Sequence, residues 1–182
     1  MKYIKPFISR QKAEELFLKK KTIFFKKRKI EKTELIYLPY YLFKLTVKFP
    51  KEEKENFAVG DGIEGNFAYW DGENVEFSEK EKGSVFSFII SSNKAQEKIK
   101  DEYSNGLLFY NLKKKKNVQL KEIKEIDKFY YPYWVIYYRK KMSYNFSIID
   151  AISGEAQGIR IKRIFLIGLN EKYKNKKRRR NK

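Results

Sequence analysis

The chain has 182 residues, with 42 Lys and Arg against 23 Asp and Glu, no Cys and no His, for a formal net charge of +19. The absence of Cys and His excludes disulfides, thiolate and imidazole metal ligands, cysteine nucleophiles and every histidine-based triad. Hydrophobic residues at 42% and aromatics at 17% supply a core and exclude general disorder.

From the N-terminus, residues 1–6 lead into no apolar run of signal-peptide length. The longest apolar stretches, residues 85–90 and 164–169, are far shorter than the roughly 18 residues that span a bilayer, so a soluble, cytoplasmic protein is expected. Ser9 is placed to cap a helix that carries Ala13, Leu16 and Phe17 on one side. Lysine-rich stretches follow at residues 19–21 and at Lys26, Lys27, Arg28 and Lys29. Residues 30–35 repeat their apolar positions near every third residue, a period that fits strand or helix. Residues 40–49 are rich in aromatic and β-branched side chains, with Lys44, Thr46 and Lys48 on one face, and read as a strand. Before Lys44 both faces are apolar, so both must be covered, one of them by the preceding helix.

The second half repeats this grammar. Ser92 or Asn93 is placed to cap a helix with Ala95, Ile99 and Tyr103 at i, i+4 and i+8, and Gly106 is a candidate stop. Four lysines follow at residues 113–116, then an undecided stretch at 118–126. Residues 129–136, Phe-Tyr-Tyr-Pro-Tyr-Trp-Val-Ile, echo residues 36–43, Ile-Tyr-Leu-Pro-Tyr-Tyr-Leu-Phe. Pro39 aligns with Pro132, Tyr40 with Tyr133, and Tyr41 with Trp134. Neither proline can donate to a ladder, which places each at a strand start, edge or bulge. Downstream, residues 57–65 align without a gap on residues 146–154, so that Asp61 and Gly65 match Asp150 and Gly154. An Asp that bonds its own backbone and a Gly four residues later at positive φ describe a tight turn. The Pro-to-Asp spacing differs by four residues, which places an insertion in the 51–56 loop.

The expected fold is therefore α+β: two tandem repeats, residues 1–90 and 91–170, each a helix on a small antiparallel sheet and related by a pseudo-twofold, followed by a tail at 171–182. Residues 172–182 hold eight basic side chains and no acid, and their mutual repulsion predicts a mobile arm. By segment the net charge runs +10 over residues 1–50, −6 over 51–105, +7 over 106–171 and +8 over 172–182.

The hairpin Val-Gly-Asp61-Gly-Ile-Glu-Gly65 and its counterpart Ile-Asp150-Ala-Ile-Ser-Gly154 resemble the Val-Asp-Ala-x-Thr-Gly signature that closes PepSY-type modules, with Ser153 where Thr is usual. The preceding helices, with Lys12-Ala13 and Lys94-Ala95, are similar to that module and to cystatin-like α+β folds. The resemblance implies an antiparallel sheet on a helix and a non-catalytic role in binding or restraining another protein, often a peptidase.

Function is read from charge. Lys174, Lys176, Lys177, Arg178, Arg179 and Arg180 of the tail, with Lys26, Lys27, Arg28, Lys114 and Lys115 of the loops, are candidates to hold nucleic acid or a nucleoprotein through its phosphates. Tyr40, Tyr133 and Trp134 are candidates to line an aromatic cleft, and as strand core they would be buried instead. Asp61, Gly65, Asp150 and Gly154 read as turn-forming. Asp61 and Asp150 are also a pair of symmetric carboxylates, which keeps open a carboxylate-based enzyme beside the protein-binding alternative. Phosphate-loop, dinucleotide and nucleophile-elbow patterns are absent, and neither cofactor nor metal is expected. A non-enzymatic binding or accessory module results.

Overall fold

The computed structural model describes residues 1–19, 29–72, 75–79, 83–140 and 143–180. In chain order these form β1 (Lys2–Ile4), α1 (Arg10–Lys19), β2 (Lys29–Lys48), β3 (Glu53–Asp61), β4 (Phe67–Tyr69), β5 (Phe77–Ser78), β6 (Ser84–Val85), α2 (Ser92–Lys114), β7 (Gln119–Lys140), β8 (Ser143–Asp150) and α3 (Ile159–Arg180). The fold is α+β, and the sheet is mixed. Hydrogen-bonded neighbours run β4-β3-β2-β7-β1-β5, with β8 on β7 and the short β6 parallel to β2.

The two undecided stretches are both strand. Residues 30–35 open β2 and residues 119–126 open β7, giving strands of 20 and 22 residues. Pro39 and Pro132 therefore lie inside long strands, not at their starts. Their missing N–H groups fall just outside the hairpin ladders, which begin at Tyr40↔Asp61 and Tyr133↔Asp150. Each proline carbonyl is used instead, accepting from Gly62 N at 2.7 Å and from Ala151 N at 3.2 Å. The first hairpin has nine register pairs and the second eight. With four residues between its strands against two, that difference accounts for the four-residue spacing mismatch.

The chain divides into two compact units, and each draws on both halves of the sequence. The first comprises Met1–Leu38, Val75–Ser87 and Tyr130–Lys182; the second comprises Pro39–Asn74 and Phe88–Phe129. In the second unit α2 lays Ala95, Ile99 and Tyr103 against Phe43, Leu45, Val47 and Ala58. In the first, α1 lays Ala13 and Phe17 against Ile136, Tyr138 and Ile149. Each helix thus covers the hairpin of the opposite sequence half, where the repeat pattern predicts the hairpin of its own. The chain leading into each helix explains the choice. Phe7 N and Ile8 N both donate to Ala151 O, at 2.9 and 2.8 Å, and Ile89 N and Ile90 N both donate to Gly62 O, at 2.7 and 3.1 Å. A side chain adds a second clamp: Trp134 Nε1 donates to Ile8 O at 2.7 Å, and Tyr41 Oη donates to Ile90 O at 2.9 Å.

Helix limits follow local chemistry. Ser9 Oγ accepts from Lys12 N at 3.2 Å, as its position predicts. The second cap is Ser91, one residue before the predicted candidates, accepting from Lys94 N. Gly106 does not stop α2. It sits exposed in mid-helix, where the intrinsic cost of a glycine is only about 1 kcal/mol. The helix runs on to Lys114 because Asn111 ties its end to the next strand, exchanging 2.8 and 2.9 Å bonds with Val118 O and N. The C-cap is Lys115, in the left-handed region at φ 51°.

Candidate functional site

Residues 159–180 form α3. Its apolar residues at 161, 164, 165 and 169, with buried Gly168 among them, follow helical spacing, and Ile164 and Phe165 are buried. Phe165 packs its ring on Phe86 at 5.6 Å and on Phe146 at 5.1 Å, which fixes the helix on the first unit. That spacing is the sequence signal that would have revealed the helix; the charge of the last eleven residues hides it. Lys172, Tyr173, Lys174, Lys176, Lys177 and Arg178 continue the same helix with exposed side chains, where charge composition alone predicts a mobile arm. Lys and Arg are good helix formers, and Lys174 Nζ pairs with Glu171 at 2.8 Å, so a helix that is already nucleated and docked propagates through the basic run. The helix holds ten basic residues and one acid over about 33 Å.

Beneath the second half of α3 lies a cleft of about 480 Å³. Buried Ile36 and Phe86 form its foot, with Leu169 beside them. Exposed Tyr144 of β8 and Tyr173 of α3 stand on its rim, and Lys172 and Lys176, one helical turn apart, line it on the helix side. Lys172 Nζ lies 5.8 Å over the Phe86 ring, and the Arg139 guanidinium lies 5.3 Å over Tyr144 while donating to its hydroxyl at 3.1 Å. Two acids, Glu31 and Glu34, also line the cleft, and Glu34 pairs with Lys32 and bonds the Tyr137 hydroxyl. Burial, and then the Glu34 carboxylate, push the Tyr137 phenol well above its ordinary range, so it stays protonated as a donor.

The other sequence candidates fall elsewhere. Lys26, Lys27 and Arg28 lie outside the described residues, as do the side chains of Arg179 and Arg180. Lys114 and Lys115 are exposed at the end of α2, in the second unit. Tyr40 and Tyr133 are 7% and 6% exposed, each ring packed on an aromatic of its own unit: Phe129 at 6.1 Å for Tyr40, Tyr131 at 5.1 Å for Tyr133. Trp134 is half-buried and commits its N–H to Ile8. These strand aromatics are core and struts.

Asp61 and Asp150 hold their turns. Asp61 Oδ1 accepts from Ile63 N and Glu64 N at 3.0 and 2.6 Å, and Oδ2 accepts from Asn66 N and Nδ2 at 2.7 and 2.8 Å. Asp150 Oδ1 accepts from Ile152 N and Ser153 N at 2.8 and 3.0 Å, and the Tyr131 hydroxyl donates across both oxygens at 3.1 Å. Gly65 and Gly154 close the turns at φ 79° and 76°. Burial raises the Asp150 carboxyl above its ordinary value of 3.8, against the opposing hydrogen bonds.

Among the described residues no group of three or more acidic side chains could hold a metal, and no helix is long and apolar enough to cross a membrane. No known family model, curated protein or solved structure matches the chain.

Proposed function

We propose that the protein is a non-enzymatic binding module that docks on nucleic acid, alone or in a nucleoprotein, and that α3 is its docking element. The observation that carries this reading is the set of ten basic residues and one acid on a single packed helix. A rigid basic helix neutralises a run of phosphates without reading bases, because released counterions supply the free energy. The scaffold behind it is, in the same reading, a doubled α+β unit. The paired bonds of Pro39 and Pro132, of Gly62 and Ala151, and of Tyr41 and Trp134 support that duplication.

The test is the salt dependence of binding to mixed-sequence DNA and RNA. Affinity should fall steeply with salt, and K174Q/K177Q/R178Q should flatten the slope of log K against log salt by about 0.9 for each duplex phosphate contact removed. Affinity indifferent to both salt and these substitutions would sink the reading.

A second reading, a module that binds another protein, is favoured by one observation. Leu108, Phe109 and Leu112 are all exposed on the outer side of α2 in the second unit. Under that reading a stoichiometric protein partner survives nuclease treatment and is lost with L108K/L112K.

A further inference from the structure

We infer that the cleft under α3 receives an unstacked base of a single-stranded nucleic acid, so that the preferred ligand is single strand and not duplex; this rests on the phosphate-docking role of α3. A duplex offers a regular array of phosphates but keeps its bases stacked inside. A single strand offers phosphates at similar spacing and turns base faces outward, and an aromatic ring beside a basic track captures them. The first unit has that combination at one place. Tyr144 and Tyr173 are 70% and 65% exposed, far more than an aromatic needed for packing, and both line the same cleft. Tyr144 is steadied by the Arg139 guanidinium lying over it and bonding its hydroxyl, so its ring is held in place before any ligand arrives. Lys172 and Lys176 flank Tyr173 on the helix, about 6 Å apart along its axis, and supply cations for the phosphates on either side of the captured nucleotide. Apolar Ile36, Phe86 and Leu169 make the foot of a space of about 480 Å³, large enough for a planar heterocycle. Ser84 and the Tyr137 oxygen, whose proton goes to Glu34, add polar groups within the same lining, where base edges can bond.

The experiment is fluorescence anisotropy of the full chain with labelled 12-mers of thymidylate and of uridylate, and with a 12-base-pair duplex, at one fixed salt concentration. Y144L and Y173L are each expected to weaken binding of both single strands by about tenfold or more, the scale of one lost base stack, while duplex affinity stays within twofold. Tyr144→Trp, which keeps a stacking face, should restore most of the single-strand affinity, and circular dichroism checks that each variant is folded. Loss of equal size on single strand and duplex, or no loss on either, overturns the cleft assignment while leaving α3 as a phosphate track. A wild-type chain that binds none of the three oligonucleotides overturns the docking role itself. Equal behaviour of thymidylate and uridylate assigns the cleft to the pyrimidine face they share; a gap between them assigns part of the contact to the ribose 2′-hydroxyl or the thymine methyl group, the two features in which they differ.

Discussion

The hairpins at Asp61 and Asp150 share a backbone but not a set of partners. In both, the Asp opens the turn by accepting from the N–H groups two and three residues on, its own carbonyl accepts from a glycine at positive φ, and the residue after it donates to a proline carbonyl. They part at the second carboxylate oxygen. Asp61 Oδ2 is filled by the backbone and side-chain amides of Asn66, whereas Asp150 has Glu155 at the matching position and turns to the Tyr131 hydroxyl. The turn thus keeps its geometry while its chemistry drifts, as expected where the carboxylate serves the backbone and not a substrate.

The largest expected effect comes from removing the two carboxylates. Asp61→Ala leaves three backbone N–H groups without an acceptor in a buried turn, for a loss of about 4.5 kcal/mol at the low end of the charged-bond range. Asp150→Ala strands two, and Tyr131 can turn its hydroxyl elsewhere, for about 2–3 kcal/mol. Urea midpoints of the two variants test this order, and an Asp150→Ala loss as large as that of Asp61→Ala would show that the Tyr131 bond is worth as much as the Asn66 pair.

How far these features could be read beforehand depends on whether a local rule decides them. The two turns were legible because Asp and Gly four residues apart leave the backbone few options, and Ser9 as a cap was legible for a similar reason. The partners of the helices were not. Nothing local distinguishes α1 on the first hairpin from α1 on the second; the choice rests on Phe7 and Ile8 finding Ala151 O, more than 140 residues away. The lengths of β2 and β7 are not legible because their outer ends are exposed and patterned weakly, and α3 is not legible because a run of like charge conceals an apolar face that ends just before it. Of the candidate site, its charge was in view, but its cleft was not. Tyr144 and Tyr173 lie outside the repeated aromatic motif that drew attention, and only tertiary structure brings them together.

Glycine substitution sharpens the contrast between the hairpins at smaller cost. An alanine at either position must adopt a left-handed backbone, at about 1–2 kcal/mol. At Gly154 the added Cβ meets Leu16 Cδ1 at 2.9 Å, the far end of a flexible side chain, with nothing else nearer than 3.6 Å. At Gly65 it meets two side chains that must both give, Ile90 Cδ1 at 2.9 Å and Lys98 Cδ at 3.1 Å, with the Ala95 Cα of α2 in ordinary contact behind them at 3.4 Å. Gly65→Ala should therefore cost about 1 kcal/mol more than Gly154→Ala, in the range of modest overpacking. Equal thermal shifts would mean that the Ile90 and Lys98 side chains together yield as readily as the Leu16 tip does.

The smallest effect is one of pH, at Asp150 of the second hairpin. Burial raises the Asp150 carboxyl above 3.8, and the Glu155 carboxylate pushes the same way. Between 3.8 and that raised value the folded chain binds more protons than the unfolded chain. The Asp150 contribution to stability is thus fully present below 3.8 and declines as pH rises through the folded value. One group exchanges at most one proton, so the slope it adds cannot exceed about 1.4 kcal/mol per pH unit. Asp150→Asn keeps an oxygen for the Ile152 and Ser153 N–H groups and an amide for the Tyr131 oxygen but carries no charge. Unfolding free energies measured in urea from pH 3 to 7 should show the decline flattened in this variant. A decline of unchanged slope would locate the excess proton on some carboxyl other than Asp150.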